Sequence, residues 1–283
     1  MNTDFQCELK LKQLNKNYSE LVKNTAVVMA NVLDKYTTYF PTYTDHSSLH
    51  ALQVIDFCNK LIGDQIDLLN EDELFVLLMG CYMHDTGMGI SDKDYQKFHD
   101  KVVTKEFIDT HPNTSISETI RMFHHEFSGQ FIRKYAPLFE IPTQEHVEAI
   151  VEVSRGHRKT NLFSSEEYPI DYKVPNGNTV CLPYLAALIR LADELDIAAD
   201  INVLFTYDES NNKDFLKHAS IKHMEIKPDC FELTLGGQFV EDPELKSFIY
   251  EEIDKLQKTL DYCREAVETR TKFKIYQKKV VIK

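Results

Sequence analysis

The sequence predicts a mainly α fold, a helical bundle followed by a small α+β C-terminal lobe. Three observations predict it. Apolar residues recur at helical spacing through the first two thirds of the 283 residues. Alternating apolar positions appear only after about residue 200. Apolar residues make up 43% of the chain, enough for a sizeable core. The length fits one large domain or two small ones.

Each element follows from its own pattern. Residues 5–39 carry Leu14, Leu21, Val28, Val32 and Tyr36 on a helical repeat, which Pro41 closes. A second helix over 45–63 holds Leu49, Leu52, Val54, Ile55 and Leu61 and stops near Gly63. A third over 71–84 is apolar nearly all round (LFVLLMGCYM), the mark of a central buried helix. Gly87 and Gly89 break the chain after it. Further helices are expected near 91–109, 115–137, 143–156 and 182–199. Between the last two, SSEEYPIDYKVPNGN is rich in turn formers and reads as a surface loop. Ser220–Ile226 and Cys230–Leu235 alternate around Lys227-Pro228-Asp229, a hairpin signal. Residues 243–272 return to helical periodicity, and Phe273, Ile275, Val280 and Ile282 alternate as in a third strand. The expected organisation is a helical metal-binding domain over 1–200 with an α+β lobe over 201–283 packed on it.

Composition removes some functions. A formal charge of −13 argues against gripping nucleic acid by broad charge attraction, while leaving room for a local basic pocket for a small anion. The first residues contain no apolar core like that of a signal peptide. The longest apolar run, Leu74 to Met83, is too short to span a bilayer, so no membrane partner is expected. Six scattered cysteines without a CxxC pair read as reduced thiols, several of them buried, in a cytoplasmic protein.

The chemistry lies in a few of the eleven histidines. His46 and His50 are four apart and share a helix face. His84-Asp85 ends the most apolar helix, in CYMHDTGMG. His124-His125 lies in RMFHHEFSG, His157 in EVSRGHR and Asp193 in ALIRLADELD. Each alone has an ordinary reading: a helix terminus for the His-Asp pair, a solvated face for His46 and His50, an acid pointing to water for Asp193. Together, five helical segments each bring an imidazole or carboxylate to the edge of an apolar stripe. Helices can direct such groups into one bundle core. Buried unpaired polar groups are costly, so their convergence implies an ion, and imidazole with carboxylate suits Zn, Fe, Mn or Ni better than Ca. Arg121, Arg155, Arg158, Lys159 and Arg190 lie near these residues in sequence and can bind an anion. Their ordinary reading is surface pairing, with Arg190 bonded inside its helix to Asp193 or Glu194. His99, His111 and His146 sit in polar stretches and read as exposed; His218 and His223 read as structural. Ser128 and Ser154 lack the strand–turn–helix context of a nucleophile elbow.

The order H … HD … H … H … D, with HALQVIDFC, LLMGCYMHDTGMG and LPYLAALIRLADELDIA, resembles the HD superfamily of metal-dependent phosphohydrolases over residues 40–235. YTDHSSLH, IRMFHHEFS, SRGHR and LADELD are most similar to the HD branch found beside heat-shock-type or histidine-kinase-type ATPase domains. The resemblance implies an HD-type helical bundle holding one or two divalent ions (Mn, Fe, Zn, Ni or Mg). It implies His50, His84, Asp85 and Asp193 as the core metal set, with Asp85 bridging if a second ion binds. His124 and His157 match second-metal positions, and Arg121-x-x-His124 followed by Glu126 favours His124 over His125. Asp85, His46 and Arg121 then form the catalytic set, and His125, Arg158 and Lys159 face substrate. The GYP motif of the cyclic-dinucleotide branch is missing, and Met88 stands where some branches place lysine or histidine. The implied activity is phosphodiester or phosphomonoester hydrolysis of a nucleotide or other small phosphorylated substrate. The alternatives are a di-iron HD-type oxygenase and a nucleotide-sensing interaction module with an ATPase partner; a homo-oligomer fits any of them.

Overall fold

The computed structural model describes residues 5–40, 48–197, 220–236 and 243–283. Helix caps decide where the helices begin. The expected run over 5–39 is split into α1 (Gln6–Leu14) and α2 (Lys16–Leu33), because the Asn15 side chain accepts from the Tyr18 N–H and starts a new helix. A 3₁₀ turn over Asp34–Thr38 follows. α3 (Ser48–Ile62) ends at Gly63, whose φ of +53° few other residues adopt. α4 (Glu71–Met83) opens on a capping box between Asn70 and Glu73. The stretch expected as one helix over 91–109 is α5 (Asp92–Val102) and α6 (Lys105–Thr110), the second capped by Thr104. A Ser115–Glu118 capping box opens α7 (Ile116–Tyr135), Thr143 caps α8 (Gln144–Arg155), and α9 (Leu182–Leu195) starts with proline in its first turn.

α4 is the axis of the bundle. From Asp72 to Met83 every residue is buried, and α1, α2, α3, α8 and α9 pack around it. Its own apolarity on all sides demands that surround, since burial of each large apolar side chain is worth about 2 kcal/mol. Gly80 lets α8 and α9 approach: a Cβ there would lie 2.9 Å from Ile189 Cδ1 and 3.2 Å from Val153 Cγ1.

The stretch expected as a plain loop carries a short hairpin, β1 (Tyr172–Lys173) against β2 (Thr179–Val180). The C-terminal sheet has the order β3-β4-β5, with β3 (Ile221–Ile226) antiparallel to β4 (Cys230–Leu235). The tail strand β5 (Lys279–Ile282) pairs with β4 in parallel, because the long helix α10 (Pro243–Arg270) carries the chain back across the sheet. One hydrophobic cluster joins α4 to Phe231 and Leu233 of β4 and to Leu256, Leu260 and Cys263 of α10. The boundary expected at residue 200 lies outside the described residues. All six cysteines are free and buried, and no described helix is long and apolar enough to cross a membrane.

One polar network departs from the expected pattern. His146 is buried rather than exposed, with its Nε2 2.8 Å from Asp72 Oδ1 and its Nδ1 2.9 Å from Thr143 Oγ1. The other Asp72 oxygen accepts from the side-chain amides of Asn176 (2.8 Å) and Asn178 (2.7 Å). Burial alone would raise the Asp72 carboxyl, but the hydrogen bonds from His146 and the two asparagines hold it down at about 2. A group lowered by folding stabilises above its ordinary value of 3.8, and that contribution is lost as pH falls through about 2. Asp72→Asn should therefore lose about 2 kcal/mol at neutral pH, the worth of a charge-assisted hydrogen bond. Urea denaturation at a series of pH values should show its gap from wild type closing below 3.8.

The turn after α4, Thr86–Gly89, is pressed against α7. A Cβ at Gly87 would run into the His124 carbonyl oxygen, so the two backbones touch. Ser128 fastens the contact: its hydroxyl donates to His84 O (2.5 Å) and accepts from Gly87 N–H (2.9 Å). Gly87→Ala should cost about 2 kcal/mol by forcing α7 away from the turn, read as a lower urea midpoint at unchanged m-value.

Candidate metal centre

Helix ends build the site. His84 caps the C-terminus of α4 and Asp85 follows it; His157 lies just past α8; Asp193 is in the last turn of α9. Helix C-termini carry partial negative charge, which favours a cation. His50 is the third residue of α3, and His124 comes from the middle of α7. All four imidazoles and Asp85 are buried, and the Asp193 side chain keeps 19% exposure.

Their hydrogen bonds fix which nitrogen faces the centre. His84 Nδ1 lies 2.9 Å from Cys81 O, His124 Nδ1 2.7 Å from Arg121 O and His157 Nδ1 2.6 Å from Ser154 O. A carbonyl can only accept, so each Nδ1 carries the proton that it donates. His50 Nδ1 is 2.6 Å from Asp196 Oδ2, another acceptor. In the neutral rings every Nε2 then presents a bare lone pair. They meet in pairs: His50 with His84 at 3.1 Å, and His124 with His157 at 2.8 Å.

Asp85 lies between the pairs. Its Oδ2 is 3.6 Å from both His50 Nε2 and His84 Nε2, while its Oδ1 is 3.5 Å from His124 Nε2 and 3.6 Å from His157 Nε2. Asp193 Oδ1 joins the first pair, 3.3 Å from His50 Nε2 and 3.8 Å from His84 Nε2. The result is two donor groups, His50 with His84, Asp85 and Asp193, and Asp85 with His124 and His157. Within each group one donor atom per residue lies within 4.8 Å of every other.

The groups differ electrostatically. Burial disfavours charge on His50, yet hydrogen bonds to Asp193 and Asp196 raise it well above its ordinary value. Burial likewise disfavours charge on His84, but the charge of Asp85 and the hydrogen bond to Asp193 outweigh it, so His84 is raised. The Asp193 carboxyl is costly to bury as an ion, but His50 and His84 hold it well below the usual range. In the second group desolvation wins: His124 falls to about 4, and His157 falls well below its ordinary value with His124 and His84 adding to the effect. Two neutral imidazoles aiming lone pairs at each other across 2.8 Å are electrostatically unfavourable, and a cation between them removes the conflict. The donor atoms fit that role, and both groups can hold a metal ion.

Five helical segments thus bring His50, His84, Asp85, His124, His157 and Asp193 together. His46 lies outside the described residues. His125 stands beside the second group, its ring centroid 6.4 Å from that of His157. Its Nδ1 is buried without a hydrogen-bond partner, and burial lowers it to about 4. Arg121, Arg158 and Lys159 are exposed, and the Arg158 charge acts on both His124 and His125. Met88 is buried in a small apolar cluster with Phe40, Ile90 and Phe127.

Three contacts have no sequence signal as such. Asp196 bonds His50 across 146 residues of sequence. Arg190 does not pair within its helix. Its Nε donates to Gly156 O (2.7 Å) and its Nη2 to Thr160 O (2.9 Å), which fixes the segment that carries His157. Tyr262 of α10 accepts from Leu162 N–H at 2.8 Å and secures the same segment.

Comparison with curated proteins and with solved structures gives no match. The HD-CE family model matches residues 40–267, a span that contains every member of both donor groups. A match over most of the chain shows the family: the chain belongs to the HD-CE family.

Proposed function

We propose that the protein is a metal-dependent phosphohydrolase acting on a nucleotide or another small phosphoester. The observation that supports this most is the position of Asp85, one carboxylate oxygen facing each pair of Nε2 atoms. His50, His84, Asp85 and Asp193 would hold one divalent ion, and His124 and His157 would share Asp85 to hold a second. Imidazole with carboxylate suits Mn, Fe, Zn or Ni, and Mg where more oxygen donors join. Such an ion, when bound, supplies a Lewis acid and lowers the pKa of water towards neutrality.

The chain's own groups do the rest. The carbonyls of Cys81, Arg121 and Ser154 hold the Nδ1 protons, which leaves Nε2 of His84, His124 and His157 as the nitrogen that would face an ion. Arg158, Lys159 and Arg121 offer positive charge at the exposed rim, where a phosphoryl group needs it on a chain of net charge −13. His125 lines the pocket beside the second group and offers its unpartnered Nδ1 to substrate. His46 is kept as a phosphate contact or proton carrier. The free, buried cysteines support a reducing compartment such as the cytoplasm. The C-terminal lobe over 201–283 serves as the support for the His157 segment, and a homo-oligomer or an ATPase partner would assemble outside the pocket.

The test is a panel of nucleotides and generic phosphodiesters assayed with Mn, Fe, Co, Ni, Zn and Mg. Turnover should appear with at least one metal and vanish on chelation. Asp85→Ala should lower it about 10³-fold, the several kcal/mol that an ion contributes to the transition state, and should reduce bound metal in elemental analysis. Protein that holds metal yet hydrolyses nothing overturns the proposal. Oxygen consumption by the iron form would then mark the oxygenase, and its absence the interaction module.

A second expectation concerns Arg158. Arg158→Ala should raise KM about 10-fold with kcat little changed, because a rim charge binds ground state and transition state alike. A fall in kcat at unchanged KM would place Arg158 on the reacting phosphoryl group instead.

A further inference from the structure

We infer that Asp196 is a positioning residue for His50, holding that imidazole in the single tautomer and ring orientation that leaves Nε2 free for a metal ion. The inference rests on the metal centre proposed above. His84, His124 and His157 each have their Nδ1 proton held by the carbonyl three residues earlier. His50 is the third residue of α3, at the start of its helix. Its Nδ1 meets a side chain 146 residues away, Asp196 Oδ2 at 2.6 Å.

Local structure at the end of α9 makes this contact. Asp196 leaves the helix at φ −80°, ψ 56°, with its N–H bonded to Asp193 O at 3.1 Å. That turn brings two carboxylates to one ring: Asp196 to Nδ1, and Asp193 Oδ1 to Nε2 at 3.3 Å. A carboxylate can only accept, so the proton stays on Nδ1. An asparagine in its place can instead donate its amide to Nδ1, which moves the imidazole proton to Nε2 and competes with metal binding. A carboxylate behind a ligating histidine also raises its basicity, and removing such a partner costs 10–100-fold in metal affinity.

The test uses the full chain, ¹⁵N-labelled at histidine, with Zn²⁺ as the probe. Wild type should show His50 protonated on Nδ1 and zinc on Nε2. Asp196→Asn should bind zinc about 10–100-fold more weakly in calorimetry and lose the His50 Nδ1–H signature. The circular dichroism spectrum and the His124 and His157 ring signals should stay as in wild type. Asp196→Glu, which keeps the acceptor, should recover most of the affinity. Wild-type affinity and an unchanged His50 ring in Asp196→Asn overturn the inference, as does zinc on Nδ1 of wild-type His50. Should Asp196→Asn fail to fold, the wild-type ring spectrum and Asp196→Glu decide alone. Weakened zinc binding in Asp196→Asn with no phosphoester turnover in any form supports the positioning role and removes only the hydrolase reading.

Discussion

A single buried carboxylate, Asp85, has to satisfy four imidazole nitrogens at once. One oxygen faces His50 and His84, the other His124 and His157, all between 3.5 and 3.6 Å. These four separations are longer than good hydrogen bonds. Burying an ionised carboxylate is expensive, and so is facing lone pair to lone pair. Both costs fall away when positive charge occupies the space between the donors. The rest of the bundle can be understood as whatever keeps these groups from relaxing into cheaper arrangements.

Three devices do so. The backbone contact between Gly87 and His124 O, fastened by Ser128, fixes the separation of α4's end from α7. The carbonyl bonds at Nδ1 remove the freedom of three rings to flip. Close packing along α4, with Gly80 admitting Ile189 and Val153, sets α8 and α9 against the same axis. Each hydrogen bond is worth only about 1 kcal/mol net, but each also excludes an alternative orientation that would pair a histidine with a neighbour. The network of Asp72, His146, Asn176 and Asn178 at the opposite end of α4 adds a second buried polar anchor, one that protein groups alone satisfy.

The contrast between those two polar sites explains what could be read from the sequence. Apolar periodicity lies in the residues themselves, so α4, α7, α8 and α9 were legible, and so was the order of His50, His84, Asp85, His124, His157 and Asp193. The breaks at Asn15 and Thr104 were not, because a capping side chain interrupts a helix without interrupting its apolar stripe. His146 looked exposed because its neighbours in sequence are polar, while its partner Asp72 is supplied by another helix. Arg190 sits next to acids that it might have paired with locally, and Asp196 is 146 residues from His50; only the tertiary arrangement shows that they reach Thr160 and His50. The parallel pairing of β5 follows from the crossover of α10, a matter of topology that alternation in the tail does not encode.

The two halves of the centre also differ in what holds them. His50, His84, Asp85 and Asp193 stand on α3, α4 and α9, helices packed directly on one another. His157 stands on a connecting segment, and that segment is tied by Arg190 from α9 and by Tyr262 and Arg270 from α10. Arg270 donates to Tyr168 O at 2.9 Å, and Tyr168 in turn donates to Thr160 Oγ1 at 2.7 Å, so the tie closes on itself. A shift of α10 would therefore reach His157 through this tie, and Asp193 through α9, on which α10 packs and where Lys255 pairs with Glu194 at 2.8 Å. Both donor groups are thus linked to the C-terminal lobe, the second through the segment that carries His157 and the first through α9.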